Sequence, residues 1–95
     1  MGIDKSDIKE LYGVLTALTS EEDCEIFLND LCTNKEIEQM AGRIAAAKLF
    51  MEGKTYNQVI EATNISSATL SRVSRCVQRG VGYRKFLNIN PKESK

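Results

Sequence analysis

The chain of 95 residues is long enough for one domain with a modest hydrophobic core and too short for a second independent domain. Hydrophobic residues make up 42% and charged residues 27% of it, which is typical of a globular protein and excludes a disordered charged tail. The sequence has neither an apolar run of membrane-spanning length nor the pattern of a signal peptide, so we expect a cytoplasmic protein without a membrane partner.

The net charge of zero hides an uneven distribution of charge along the chain. Residues 1–40 contain three basic and ten acidic side chains, whereas residues 41–95 contain ten basic and three acidic ones. The two parts therefore carry formal charges of −7 and +7. A basic half favours an anionic partner such as nucleic acid, although a solvated mixed surface fits the charge equally well.

The sequence shows no recognisable pattern of catalytic or metal-binding residues. It contains no histidine, and its cysteines, Cys24, Cys32 and Cys76, lack the close spacing of a zinc site. Each cysteine lies among apolar residues of helical period, which predicts small buried thiols. There is also no glycine-rich phosphate loop and no suitably spaced pair of carboxylates. We therefore expect a protein that is not an enzyme and binds no metal.

Two amphipathic helices are predicted at the start of the chain. Apolar residues recur every three or four positions from about Asp4 to Leu18, and a second helix follows an N-cap at Ser20. So short a chain offers the apolar faces of these helices no internal partner. We therefore expect residues 1–53 to supply dimerisation helices.

A third, longer helix completes this first part of the chain. The sequence from Thr33 to Glu36 predicts a capping box at its start, and Gly53 suits a positive φ at its end. Beyond it, a short helix or extended arm is predicted at residues 83–87 and a polar tail at residues 88–95. Nothing alternates with the period of a strand. The predicted apolar stripe of the third helix is Ile37, Met40, Ala41, Ile44, Ala47 and Met51.

The most informative motif is a helix-turn-helix from Thr55 to about Cys76. Thr55 and Gln58 form a capping box, Asn64 tolerates the left-handed conformation of a tight turn, and Ser66 is an N-cap for the second helix. Apolar side chains are expected to face inward from both helices, and Ala62 is expected at a close approach between helices. The inward residues are Val59, Ile60, Ile65, Leu70, Val73 and Val77.

The outer face of the second helix of this motif suits the major groove of DNA. Its first residues are small or hydroxyl-bearing, which permits deep entry, and Arg72, Arg75 and Arg79 would then reach phosphates. No acidic residue occurs between Thr63 and Leu87. The predicted DNA-binding residues are Lys54, Thr55, Tyr56, Asn57, Ser66, Ser67, Ala68, Thr69, Ser71, Arg72 and Arg75.

A second class of function fits the same features. A helical interaction module that docks its basic face on RNA or on an acidic protein partner would use the same arginines. A strongly salt-dependent shift of duplex DNA would separate the two hypotheses. We expect a sequence-specific DNA-binding transcriptional regulator, with repression as its mode of action and the interaction module as the alternative.

Several separated segments of the chain form a recognisable pattern, namely Phe27, Leu28, Asn29, Leu31, Thr33 to Glu36, Arg43, Gly53 and Ala68 to Arg72. In these residues the chain resembles the tryptophan-repressor family, and within it the YerC/YecD-like branch. The resemblance implies an all-α, Trp-repressor-like fold of about six helices. It also implies an intertwined homodimer that presents two helix-turn-helix heads to successive major grooves. By position, the resemblance also places Asn57 and Ile60 near bases or backbone.

The resemblance also implies an effector pocket, and here the sequence departs from the family. The residues that match the pocket are Thr33, Arg43, Thr69 and Arg72. However, Val73 stands where the family has a glycine, and Asp30 stands where it has an apolar wall. An isopropyl group would fill the space of an indole ring, and the aspartate would pair with the arginines. We therefore expect no cofactor, and in particular no tryptophan corepressor; the small-molecule effector, if there is one, is left open.

Overall fold

The computed structural model describes residues 2–87, which are all-helical and contain no strand. This confirms the predicted all-α class. The predicted tail, residues 88–95, lies outside the described residues. Within residues 2–87, no helix combines the length and hydropathy of a membrane span. The helices are α1 (Lys5–Ala17), α2 (Glu21–Leu31), α3 (Asn34–Met51), α4 (Tyr56–Thr63), α5 (Ser67–Arg79) and α6 (Gly82–Phe86).

Side-chain caps determine where α1 and α2 begin. The carboxylate of Asp4 accepts hydrogen bonds from the amides of Ser6 and Asp7, so Asp4 is the N-cap of α1 rather than its first residue. The predicted range, from about Asp4 to Leu18, thus ends at the two capping residues of α1, because Leu18 is the C-cap. The hydroxyl of Ser20 accepts from the amide of Asp23 at 3.0 Å and confirms the predicted N-cap of α2.

Hydrogen bonds stabilise the ionised form of the carboxyl groups at the starts of α1 and α2. The hydroxyl of Ser6 donates to Asp4 at 2.7 Å and, with the amides of Asp7 and Ser6, holds the pKa of Asp4 below its ordinary value. The amide and hydroxyl of Thr19 both donate to Asp23 and lower its pKa in the same way. Hydrogen bonds to the charged form of a carboxyl group favour that form.

The chain divides into two compact units, with the boundary between Asn34 and Lys35. In the first unit, neither α1 nor α2 has a buried side chain. The apolar stripe of α1 is exposed, whereas that of α2 is half-buried except at Leu31. The dimerisation that would cover these faces stays a prediction. The exposed large apolar side chains of these helices are Ile8, Leu11, Tyr12, Leu15, Ile26 and Leu31.

The second unit contains a core between α3, α4 and α5. The predicted inward positions Leu70, Val73 and Val77 of α5 are confirmed as buried. Aliphatic and aromatic side chains at the end of α3, on α4 and on α6 pack around this core. In residues 2–87, the buried hydrophobic side chains are Ala46, Ala47, Val59, Leu70, Val73 and Val77.

The expectations for Ala62 and for the cysteines are wrong. The sequence predicts only a shared face for the apolar stripe of α3, and this stripe is buried at Ala47 but exposed at Met40 and Ile44, because the core contacts the second half of the helix. Ala62 is exposed, whereas Ala46 and Ala47 of α3 are fully buried in the core. The three cysteines are free and half-buried rather than fully buried.

Candidate nucleic-acid interface

The helix-turn-helix is formed by α4, a short turn and α5, and local hydrogen bonds fix both helix starts. The amide of Gln58 donates to Thr55 Oγ1 at 3.1 Å, and the amide of Thr55 donates to Gln58 Oε1 at 2.8 Å. This confirms the predicted capping box of α4. At α5, the hydroxyl of Ser66 accepts from the amide of Thr69 at 3.3 Å, which confirms the predicted N-cap.

The turn between the two helices depends on Asn64. Its backbone has φ 57° and ψ 31°, the left-handed conformation that the sequence predicts. Its amide donates to the carbonyl of Ile60 and thereby closes α4. Ile65 follows it and packs against the core, so the turn is anchored from inside. The angle between α4 and α5 is therefore held by local stereochemistry and by an apolar contact.

The outer face of α5 is polar and cationic. Thr69 is the exception among the predicted contacts on α5, because it is half-buried and its hydroxyl accepts from Ser66 Oγ at 3.1 Å. The small side chains lie in the first turns, where the helix dipole attracts anions, and the arginines follow. The exposed residues of this face are Ser67, Ala68, Ser71, Arg72, Arg75 and Arg79.

Tyr56 connects the start of α4 to the start of α5. Its ring is half-buried, 6.2 Å from the ring of Phe50 between centroids. Its hydroxyl donates to the carbonyl oxygen of Ser67 at 3.1 Å and lies 3.1 Å from Ser71 Oγ and 3.4 Å from Ser67 Oγ. The hydroxyls of Ser67 and Ser71 lower the pKa of Tyr56 below its ordinary value. The sequence predicts Tyr56 as a DNA contact but gives no sign of these hydrogen bonds.

A shallow cavity of about 330 Å³ brings this tyrosine together with predicted base and phosphate contacts. Both hydroxyl and guanidinium groups line it, a combination suited to the base edges and phosphate backbone of a nucleic acid. Ser74 and Gln78 complete its lining, and the Gln78 amide donates to the Ser74 hydroxyl at 3.3 Å. The predicted residues that meet here are Tyr56, Ser71, Arg75 and Arg79.

Other predicted DNA contacts do not line this cavity. Lys54, Thr55 and Asn57 are exposed at the start of α4. Arg72 lines a separate cavity of about 420 Å³, together with Cys76, Gly80 and residues of α6. Arg72 is thus exposed on the outer face of α5 and also lies next to α6.

The residues of the predicted effector pocket that belong to the second unit do not line one common cavity. Arg43 lines a cavity of about 350 Å³ beside the turn of the helix-turn-helix, and Thr69 lies in the same cavity. Arg72 lines the cavity near α6, and Val73 lies in the core with 1% of its surface exposed. Asp30 and Thr33 are exposed residues of the first unit. Within residues 2–87, no cluster of acidic, cysteine or histidine side chains could hold a metal ion.

Sequence reasoning missed two features of the second unit. Lys35, Glu38 and Gln39 line the cavity of Arg43, and their spacing along α3 is the signal that would have found them. Arg84 of α6 donates from Nε to the carbonyl oxygen of Val77 at 2.6 Å and so satisfies a carbonyl near the end of α5. No pattern in the local sequence predicts this hydrogen bond between Arg84 and Val77.

Comparisons with known proteins agree with this arrangement. The family model described as Trp repressor protein matches residues 6–89. YerC of Bacillus subtilis (strain 168), described as an uncharacterized protein, is 39% identical over an alignment of 83 residues, with 84% of this chain and 80% of YerC covered.

Two solved structures are similar as well. A TrpR-like protein from Eubacterium eligens ATCC 27750 has 31% identity and a TM-score of 0.79, with 86% of each chain covered. A candidate Trp repressor from Staphylococcus aureus has 34% identity and a TM-score of 0.82, with 90% of this chain and 86% of that one covered. The family model and these relatives span nearly the same residues as the helices described above, and the chain therefore belongs to the Trp repressor protein family.

Proposed function

We propose that this protein is a sequence-specific DNA-binding transcriptional regulator, and not an enzyme, which inserts α5 into the major groove. The observation that carries the proposal is the juxtaposition of hydroxyls and guanidinium groups at the cavity of Tyr56, Ser71, Arg75 and Arg79. Hydroxyls bond to base edges, and arginines neutralise phosphates. Membership of the Trp repressor protein family supports the same function.

The functional unit in this proposal is a homodimer. The large apolar side chains that α1 and α2 expose occur twice in a symmetric pair, and each copy would cover those of the other. Two copies would also present two α5 helices to two half-sites on one side of the duplex. Sedimentation equilibrium should give twice the mass of 10.6 kDa, and a well-folded monomer at micromolar concentration would contradict this part of the proposal.

A binding assay on duplex DNA tests the proposal directly. Fluorescence anisotropy with a randomised duplex should show affinity that falls steeply as salt rises, because bound cations displace counterions from phosphates. Arg75→Ala should weaken binding and lower the salt slope by about one. Lys48→Ala on α3 is the matched control, since it removes an exposed cation outside the cavity. Equal effects of the two variants would argue against the interface, and tight binding to RNA or to an acidic protein without duplex binding would favour the alternative.

Repression is the mode of regulation that we propose, since one solved relative is described as a candidate Trp repressor. Wild-type protein added to in vitro transcription should reduce the transcript only from templates that carry its selected site. Activation from the same templates would overturn this assignment.

The protein should bind its site without tryptophan. Val73 occupies the core where the family pocket has a glycine, and Asp30 replaces an apolar wall. Calorimetry should therefore show no binding heat with L-tryptophan, and the affinity for DNA should be the same with and without the amino acid. Micromolar binding of tryptophan together with DNA binding that requires it would contradict this expectation.

A further inference from the structure

The hydroxyl of Tyr56 determines which hydrogen-bonding role remains available to Ser71. A phenol has one proton to donate and lone pairs to accept with, and a backbone carbonyl oxygen only accepts. The 3.1 Å contact of Tyr56 with the carbonyl oxygen of Ser67 therefore uses the phenolic proton. In the second 3.1 Å contact, the Tyr56 oxygen can then only accept, so the hydroxyl of Ser71 must donate.

This arrangement leaves Ser71 without a free proton. A serine hydroxyl also has a single proton, and here that proton points at Tyr56. The lone pairs of Ser71 Oγ remain, and the residue is exposed on the outer face of α5. A free serine in the major groove bonds to donors and acceptors alike. With its proton engaged, Ser71 offers an acceptor only.

We propose that Tyr56 is a specificity-determining positioning residue, which makes Ser71 an acceptor that selects bases bearing an amino group. In the major groove these are adenine, through its N6 amino group, and cytosine, through its N4 amino group. In the major groove guanine and thymine present keto oxygens, which need a hydrogen-bond donor. Ser71 has no free proton to donate to them. Tyr56 acts through Ser71 and through the carbonyl of Ser67, and direct contact of Tyr56 with DNA is not required. This inference rests on the proposed binding of DNA by α5.

The side chain of Tyr56 is held in place, so its effect on Ser71 should persist in the complex with DNA. Its ring is half-buried beside Phe50, and its hydroxyl connects the first turn of α4 to the first turns of α5. Rotation of the side chain on DNA binding would therefore break these contacts. The lowered pKa of Tyr56 is consistent with hydroxyls of Ser67 and Ser71 that donate to it. Loss of this single oxygen would return to Ser71 the freedom to donate.

Selection of duplexes from a randomised pool, followed by sequencing, tests the inference with four proteins: wild type, Tyr56→Phe, Ser71→Ala and the double variant. We expect wild type to prefer adenine or cytosine by about fivefold at one position of each half-site on the strand that Ser71 faces. Tyr56→Phe should reduce this preference to less than about twofold, while affinity for the best duplex falls by less than about threefold. Tyr83→Phe is the matched control and should select like wild type.

The variants also separate a specific effect from a structural one. Ser71→Ala removes an exposed side chain, should fold normally and should lose the same preference. The double variant should then select like Ser71→Ala, because Tyr56 has no remaining hydroxyl to orient. An unchanged base preference in Tyr56→Phe, or in Ser71→Ala, would overturn the inference and leave the proposed function standing. A wild-type protein that selects no duplex at any salt concentration would overturn both.

Discussion

Val73 tests whether the second unit is packed as the structure describes. Its side chain is 1% exposed in the same core as Val59 and Leu70. Val73→Ala removes two buried carbon atoms, which at about 0.8 kcal/mol each gives about 1.6 kcal/mol. The cavity left behind raises the expected loss in the free energy of unfolding to about 2 kcal/mol. Because the core is small, its neighbours have little freedom to close this space.

Urea denaturation followed by circular dichroism measures this change, at a fixed protomer concentration because association contributes to stability. A loss of about 2 kcal/mol corresponds to a decrease of about 10 °C in Tm for a chain of this size. Val81→Ala makes the same chemical change at a residue that is 75% exposed and should cost less than about 0.5 kcal/mol. Equal losses from the two variants would refute the assignment of Val73 to the core.

Three further predictions concern pH, the turn and the interface. The pKa values of Asp4 and Asp23 lie below the ordinary 3.8 in the folded state, so their contribution to stability is present above about pH 4 and lost as pH falls. Acid titration of wild type should therefore show a steeper loss of stability than titration of the doubly amidated variant, Asp4→Asn with Asp23→Asn. Asn64→Val should lower the unfolding free energy by about 1–2 kcal/mol because a branched side chain is disfavoured at positive φ, whereas Asn64→Gly should fold as wild type in the same denaturation assay. Arg72→Ala should weaken binding to all duplexes, while Thr69→Ala should chiefly reduce discrimination between sites, by about 1–3 kcal/mol if the half-buried Thr69 contacts a base edge directly. Equal loss of specificity in anisotropy titrations would contradict these roles.

Local backbone chemistry explains what the sequence predicted well. The capping box of Thr55 and Gln58 and the left-handed Asn64 each depend on residues within four positions of one another. Such motifs satisfy backbone hydrogen-bond donors, or permit a positive φ, without help from distant residues. The sequence alone is therefore enough to identify them.

Contacts between helices were harder to predict. The hydrogen bond of Tyr56 with Ser71 joins residues fifteen positions apart, and it depends on the angle at which α4 meets α5. In the same way, periodicity grouped Ile44 with Ala47, but only Ala47 lies in the half of α3 that reaches the core. Helical period indicates which residues share a face, and the lengths and crossing of the neighbouring helices decide how much of that face is covered.

The confinement of buried side chains to the second unit has a consequence for amide exchange with heavy water. Backbone amides are protected in proportion to the free energy needed to open the segment that contains them. In a separate protomer, α1 and α2 have no buried side chain to resist opening, whereas α5 has Leu70, Val73 and Val77. Amides of α1 and α2 should therefore exchange early and those of α5 late. Any slowing of exchange in α1 and α2 as the protein is concentrated would directly measure the association of its copies.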